Sequence, residues 1–219
     1  RLLLSLEYAG RDGYQPMRAD APAGAFEGYG RFIEDGFEIF VAPGRLPPAP
    51  WSNIVASDRM GMLVTERGGG FVWHLNSRLR RVTPFDNDPA EEGWGLMFYL
   101  ADEKRETFTR LFPGRDPLIP YAVRHMLWET SFSGAAGALA FETAVYADSR
   151  VDALRVMVTV KNVGAQPREI AVTGFVDWLM GADSPDAVKT RAWNRDGALF
   201  AAGAMDSVGY FACDGELCE

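Results

Sequence analysis

Leu154-Arg155-Val156-Met157-Val158-Thr159-Val160-Lys161-Asn162-Val163 sets Leu154, Val156, Val158 and Val160 against Arg155, Met157, Thr159 and Lys161. A period of two sends successive side chains to opposite faces, so the stretch reads as a strand with one face in a core and one in water. Val163-Gly164-Ala165-Gln166-Pro167 follows with turn residues, and residues 168–180 resume the alternation with Ile170, Val172, Gly174 and Val176 on one face. The two runs read as a long hairpin. Leu154, Val156, Val158, Val160, Ile170, Val172 and Val176 are then expected to lie buried between two sheets.

Working upstream, Leu139, Phe141, Thr143 and Val145 alternate with Ala140, Glu142, Ala144 and Tyr146. Asp148-Ser149-Arg150-Val151-Asp152 joins this strand to the next, giving a meander of three long strands. Residues 62–65, 70–73, 97–100, 106–112 and 121–128 are further strand candidates, punctuated by Gly, Pro and Asp, while helical periodicity is scarce. The expected fold is all-β, a large antiparallel two-layer sandwich. Residues 28–219 are assigned to it. Residues 1–27, polar and interrupted by Gly13, Pro16, Pro22 and Gly24, suit a connector or N-terminal arm, with a short strand at residues 2–8.

The 219 residues allow one large domain or two small ones, and 47% hydrophobic with 24% charged residues is the balance of a globular chain. Lys and Arg total 22 against 30 Asp and Glu, a net charge of −8, which repels phosphate backbones and anionic lipid surfaces. Nucleic acid is therefore excluded as a partner. Leu2-Leu3-Leu4 is too short for a signal-peptide core or a membrane span. Cys213 and Cys218 alone make neither a disulfide framework nor a zinc site, so a reducing, cytoplasmic setting is the expectation. A start at Arg1 and a stop at Glu219 read as a piece of a longer protein.

The motifs of common enzymes are missing. Gly68-Gly69-Gly70 lacks the Lys-Ser or Lys-Thr of a phosphate loop and precedes a strand, so it reads as a hairpin turn. After Asp86-Asn87-Asp88, Glu91 stands where a calcium loop needs Gly and Met97 where it needs Glu. His125 and Glu129 fall on a strand rather than a helix, and His74 has no second ligand near it, so no metal is assigned. No Gly-x-Ser-x-Gly occurs, and no pair of carboxylates is marked by its surroundings, so no catalytic residue is assigned either.

The most unusual stretch is Phe71-Val72-Trp73-His74-Leu75-Asn76-Ser77-Arg78-Leu79-Arg80-Arg81-Val82-Thr83-Pro84-Phe85-Asp86-Asn87-Asp88-Pro89. Flat rings beside amides and guanidinium forks are the chemistry of sugar binding. The candidate substrate-binding residues are Trp73, Asn76, Arg78, Arg81 and Phe85. An unbroken strand would group Asn76, Arg78 and Arg80 on one face and send Arg81 to the other, which favours Arg78 over Arg81. The alternative is that Arg78 and Arg81 pair with Asp86 or Asp88 and pin the loop.

Several stretches together resemble the N-terminal β-sandwich of glycoside hydrolase family 94, which includes cellobiose and chitobiose phosphorylases and cyclic β-1,2-glucan synthases. They are Gly28-Tyr29-Gly30-Arg31-Phe32-Ile33-Glu34-Asp35-Gly36-Phe37-Glu38-Ile39, Pro48-Ala49-Pro50-Trp51-Ser52-Asn53, Asn76-Ser77-Arg78, Thr83-Pro84-Phe85-Asp86-Asn87-Asp88-Pro89 and Val172-Thr173-Gly174-Phe175-Val176-Asp177-Trp178. The resemblance implies a galactose-mutarotase-like supersandwich, continuing in the parent into an (α/α)6 barrel that holds the general acid and the phosphate site. It implies no cofactor, with inorganic phosphate as co-substrate of the parent and a β-linked glucooligosaccharide as substrate. A homodimer is compatible, as is a cytoplasmic enzyme or the cytoplasmic part of a larger membrane-bound synthase. The chain itself is then a non-catalytic sandwich that shapes the cleft of the neighbouring barrel. An independent sugar-binding module and a purely architectural domain are the alternatives.

Overall fold

A computed structural model describes residues 15–16, 28–85 and 95–213. The strand expected at residues 2–8, most of the expected arm, and the Asp86-Asn87-Asp88 run lie outside the described residues. The largest sheet has six antiparallel strands in the order β12 (Leu154–Asn162), β11 (Leu139–Ala147), β10 (Glu129–Ala136), β9 (Tyr121–Met126), β3 (Gly36–Val41) and β2 (Gly30–Ile33). A four-stranded sheet runs β1 (Gln15–Pro16), β8 (Thr107–Arg110), β7 (Leu96–Asp102) and β13 (Ile170–Val176), with only the short β1 parallel to its neighbour. Two small antiparallel sheets complete the fold. One comprises β4 (Ser52–Ala56), β5 (Met60–Thr65) and β6 (Gly70–His74), the other β14 (Arg191–Arg195), β15 (Ala198–Ala202) and β16 (Val208–Phe211). The all-β sandwich is as the sequence implies. Among the described residues no helix is long and apolar enough to cross a membrane.

One core joins the sheets. The six-stranded sheet contributes Ile39, Val41, Tyr121, Val123, Phe132, Leu139, Phe141 and Val145, the four-stranded sheet Phe98 and Leu100, and the β4–β6 sheet Val55, Met62, Val64 and Val72. A row of rings crosses between the layers: Phe98 meets Phe112 edge-on at 5.7 Å, and Phe112 meets Phe132 at 4.7 Å. Phe112 and Phe132 are fully buried. Burying each such ring contributes about 1.5–3 kcal/mol by transfer alone.

β11 pairs with β12 as expected, and Leu139, Phe141, Thr143 and Val145 are the buried face of β11, but the third strand of this meander is β10, which precedes β11, and not β13. The expected hairpin of the deciding stretch is not formed. β12 pairs with β11, whereas β13 pairs with β7, so residues 163–169 carry the chain from one sheet to the other. Asn162 shapes that crossing by donating to the Gln166 carbonyl and accepting from the Gly164 amide. Arg168 then clamps β13 to β7 through the fully buried Asp102, which also accepts from Arg105. Alternation and turn residues are the same for a hairpin and for such an arch, and only the choice of partner differs.

The same rearrangement corrects the expected burial. β12 and β13 are edge strands. Leu154, Val156, Val158, Val160 and Val176 are half-buried against the core, while Ile170 and Val172 remain 41% and 47% exposed at the rim.

The glycine run is the turn between β5 and β6: Gly68 N–H donates to the Thr65 carbonyl, and Thr65 N–H to the Gly69 carbonyl. Gly68 and Gly70 have φ of 84° and 128°, and a Cβ at Gly70 would collide with the Leu63 carbonyl. At Gly68 it would strike Phe112, so the turn sits directly on the ring that joins the layers.

His125 is held in a relay. Asn53 Nδ2 donates to Thr130 Oγ1 at 3.1 Å, Thr130 Oγ1 donates to His125 Nδ1 at 3.1 Å, and His125 Nε2 donates to the Trp51 carbonyl at 3.0 Å. Burial lowers its pKa, and the Trp51 carbonyl offsets this only in part. Between the ordinary histidine value of about 6.5 and the lowered native one, the unfolded chain binds a proton that the native chain refuses. Stability is therefore complete above that window and lost as pH falls through it. Glu38 and Asp102 are pushed up by burial, but their arginine partners outweigh this and hold both below the usual carboxylate range, so their contributions fade only at lower pH.

Thermal melts from pH 7.5 down to 5 should show a falling midpoint, and His125→Gln should flatten that slope; an unchanged slope would remove His125 as its source. Phe132→Ala should cost about 3–5 kcal/mol by chemical denaturation, whereas Val172→Ala should stay within about 0.5 kcal/mol. Equal losses would contradict the arch.

Candidate functional site

The candidate residues cluster at the end of β6. Alternation along β6 puts Val72 in the core and sends Phe71 and Trp73 to the opposite face, where Phe71 is buried and Trp73 half-buried. The Trp73 indole lies over Gly61 of β5, where a Cβ would run into the ring. The strand does not run on through Asn76, as the grouping of Asn76, Arg78 and Arg80 would require. Leu75 adopts φ of 65°, a conformation costly for a branched side chain, and the chain turns back. Asn76 Oδ1 accepts from the Arg78 and Leu79 amides at 3.0 and 2.8 Å, the side-chain turn for which asparagine is suited. Arg80 N–H donates to the Asn76 carbonyl, and Arg81 returns beside Trp73.

Arg81 ties this loop together. Its Nε donates to the Ser77 carbonyl at 3.1 Å and its Nη1 to the Phe85 carbonyl at 3.4 Å. The guanidinium carbon lies 5.4 Å from the Phe71 ring centroid and 5.9 Å from that of Phe85. Phe71 and Phe85 stack at 4.3 Å, and Trp73 stands 5.2 Å from Phe71. The Arg81 backbone also pairs with Gly181 in both directions. Arg80 points elsewhere, reaching Ser207 Oγ at 3.3 Å.

The structure thus brings Trp73, Arg81 and Phe85 into one aromatic and cationic cluster and places Asn76 and Arg78 on the exposed loop that this cluster holds. Asn76 uses its oxygen on the loop itself. Arg78 is exposed, and among the described residues its guanidinium makes no hydrogen bond or ion pair. The alternative pairing of Arg78 or Arg81 with Asp86 or Asp88 falls outside the described residues. At the base of the loop, His74 Nε2 lies 3.2 Å from Asp152 Oδ2, which also accepts from Arg59 at 2.8 Å.

Two structural contributors were not singled out from the sequence. Phe71 is the ring on which Phe85 and Arg81 rest, and the alternation that pairs it with Trp73 was the available signal. Asn53 is the other. Besides Thr130, its Nδ2 donates to the Met126 carbonyl at 2.8 Å and lies 3.3 Å from that of Glu129, bracing the turn between β9 and β10. Nearby, Trp51 N–H donates to the fully buried Glu66 at 2.7 Å. These contacts fix the β4–β6 sheet against the six-stranded sheet, and so fix the loop.

The fold is that of a large antiparallel supersandwich. Glycosyl hydrolase 94, supersandwich domain, matches residues 37–198, and the chain belongs to that family. It is similar to the cyclic beta-(1,2)-glucan synthase NdvB of Rhizobium meliloti (strain 1021), 25% identical over 204 residues that make up 88% of this chain and 7% of that protein. It is similar also to the N,N'-diacetylchitobiose phosphorylase of Vibrio furnissii, at 23% identity over 85% of this chain and 23% of the relative. The solabiose phosphorylase of Paenibacillus borealis is 28% identical over 70% of this chain and 20% of its own length. The chain therefore spans less than a quarter of the length of each of these relatives.

Arg81→Ala removes two hydrogen bonds and a cation on two ring faces, and should destabilise the protein by about 1–3 kcal/mol, read as a lowered melting temperature. Arg78→Ala should leave the melt nearly unchanged. A reversed order would contradict the assignment of Arg81 to the loop's support.

Proposed function

We propose that this chain is the non-catalytic supersandwich of an enzyme acting on β-linked glucosides, and that the loop of residues 75–81 forms part of the wall of its substrate cleft. The observation that carries this reading is a loop fixed from within by Asn76 and Arg81 whose exposed Arg78 guanidinium makes no hydrogen bond or ion pair among the described residues, next to a cluster in which Trp73 and Phe85 are half-buried. Five N–H donors in a rigid fork, without a partner among the described residues, suit the hydroxyls of a sugar held near Trp73 and Phe85. The relatives' names, a glucan synthase and two disaccharide phosphorylases, support a saccharide as substrate.

In this reading the acid that protonates the glycosidic oxygen belongs to the (α/α)6 barrel of the parent, and phosphate or a sugar hydroxyl attacks the opposite face of the ring. The sandwich supplies orientation, from its own barrel's side or across a homodimer, in a cytoplasmic enzyme or the cytoplasmic portion of a larger synthase. It requires no cofactor.

In the full-length enzyme, Arg78→Ala should lower kcat/KM for the oligosaccharide by roughly ten-fold or more, the scale of a lost hydrogen bond to a charged group, with an unaltered melting temperature. Unchanged kinetics would leave the loop architectural and end the cleft-wall reading.

A further inference from the structure

The sheet of β14, β15 and β16 has an outer face that the cleft-wall reading does not use. Its inner face is settled by packing: Phe211 lies 6.0 Å from Phe98 and over Gly174, and Gly209 sits against Trp178 and Met180. Trp193, Phe200 and Tyr210 are register partners across the three strands and occupy the opposite face. Trp193 and Phe200 are nearly parallel, 12° apart at 5.8 Å, and Phe200 and Tyr210 are 6.2 Å apart. Trp193 is 41% and Tyr210 62% exposed.

β14 departs from every other long strand, because all five of its residues, Arg191-Ala192-Trp193-Asn194-Arg195, are exposed. A strand with no core face is not explained by burial. Alternation places Arg191 and Arg195 on the same side as Trp193, each about 7 Å along the strand from it. Arg191 and Arg195 thus precede and follow Trp193 on that face, with Arg195 Nε also donating to Asp196 Oδ2 at 3.3 Å. Ala198 and Ala202, the neighbours of Phe200 on that face of β15, are small, and Val208 beside Tyr210 is 58% exposed.

We propose that this face is a second saccharide-binding surface, separate from the loop of residues 75–81, on which an extended oligosaccharide lies along β14 with a ring on Trp193 and hydroxyls toward Arg191 and Arg195. The alternation of donor fork, apolar plane and donor fork matches a sugar chain, whose rings are apolar on their faces and ringed by hydroxyls. The proposal rests on the reading that the parent enzyme handles saccharides, but not on any role of Arg78.

The test is hydroxyl-radical footprinting of the full-length protein, read by mass spectrometry, with linear β-1,2-glucan, cello-oligosaccharide and chito-oligosaccharide as probes. Trp193 and Tyr210 should be oxidised in the free protein and protected by at least one probe. Trp193→Ala should weaken the Kd for that probe about ten-fold or more. Trp193→Phe, which keeps the ring ladder, should restore most of the affinity. The double variant Arg191→Ala, Arg195→Ala should weaken binding with no change in melting temperature, which a purely structural ladder would not do. Unreactive Trp193 in the free protein would mean that another part of the polypeptide covers the face. That result, absent protection by all three probes, or unchanged affinity in the variants would each overturn the proposal. Protection at Trp193 that persists in Arg78→Ala, whatever that variant does to turnover, separates this surface from the cleft wall.

Discussion

The contact of Phe112 with Phe132 and Phe98 holds the sandwich together at its centre. It is the point where side chains from the four-stranded and six-stranded sheets meet through a third ring that belongs to neither ladder. Interiors packed at crystal-like density transmit displacement rather than absorb it. What rests on Phe112 is therefore placed by it, and the closest such element is the β5–β6 turn, which approaches the ring through Gly68. Any side chain at position 68 would move the turn, β6 behind it, and the loop of residues 75–81 at its end.

From that turn outward the structure grows less dependent on burial and more on directed polar contacts. Asn53, Thr130, His125 and Trp51 form a single hydrogen-bonded relay that sets the small sheet against the large one. Beyond it the loop is held by Asn76 turning on its own backbone and by Arg81 reaching two carbonyls over two rings. The support is internal, and among the described residues none of it uses the Arg78 guanidinium.

Two buried acids, Asp102 and Glu38, serve the frame. Asp102 gathers Arg105 and Arg168 where β13 enters its sheet, and Glu38 is gripped by Arg31 and Arg124 across three neighbouring strands. A carboxylate fixed by two arginines is a poor proton donor near neutral pH. None of the acids so held therefore offers the raised pKa that a general acid needs.

The sequence by itself determined most of the long strands, the inward faces of β11 and β12, the glycine turn and the family. Each of these is written in local alternation, in turn chemistry or in motifs of neighbouring residues. The turn at Asp196-Gly197 was equally legible, since both residues take positive φ as that dipeptide favours, yet the sheet it closes was not anticipated. Tertiary structure alone decided that β12 and β13 part company, because two strands of matching pattern are separated by which sheet each joins, not by the turn between them. It also decided that residues 75–81 form a closed loop in which Arg81 supports and Arg78 projects. Two arginines three positions apart have identical chemistry in the sequence, and their roles diverge only when rings and carbonyls brought from elsewhere in the chain surround one of them.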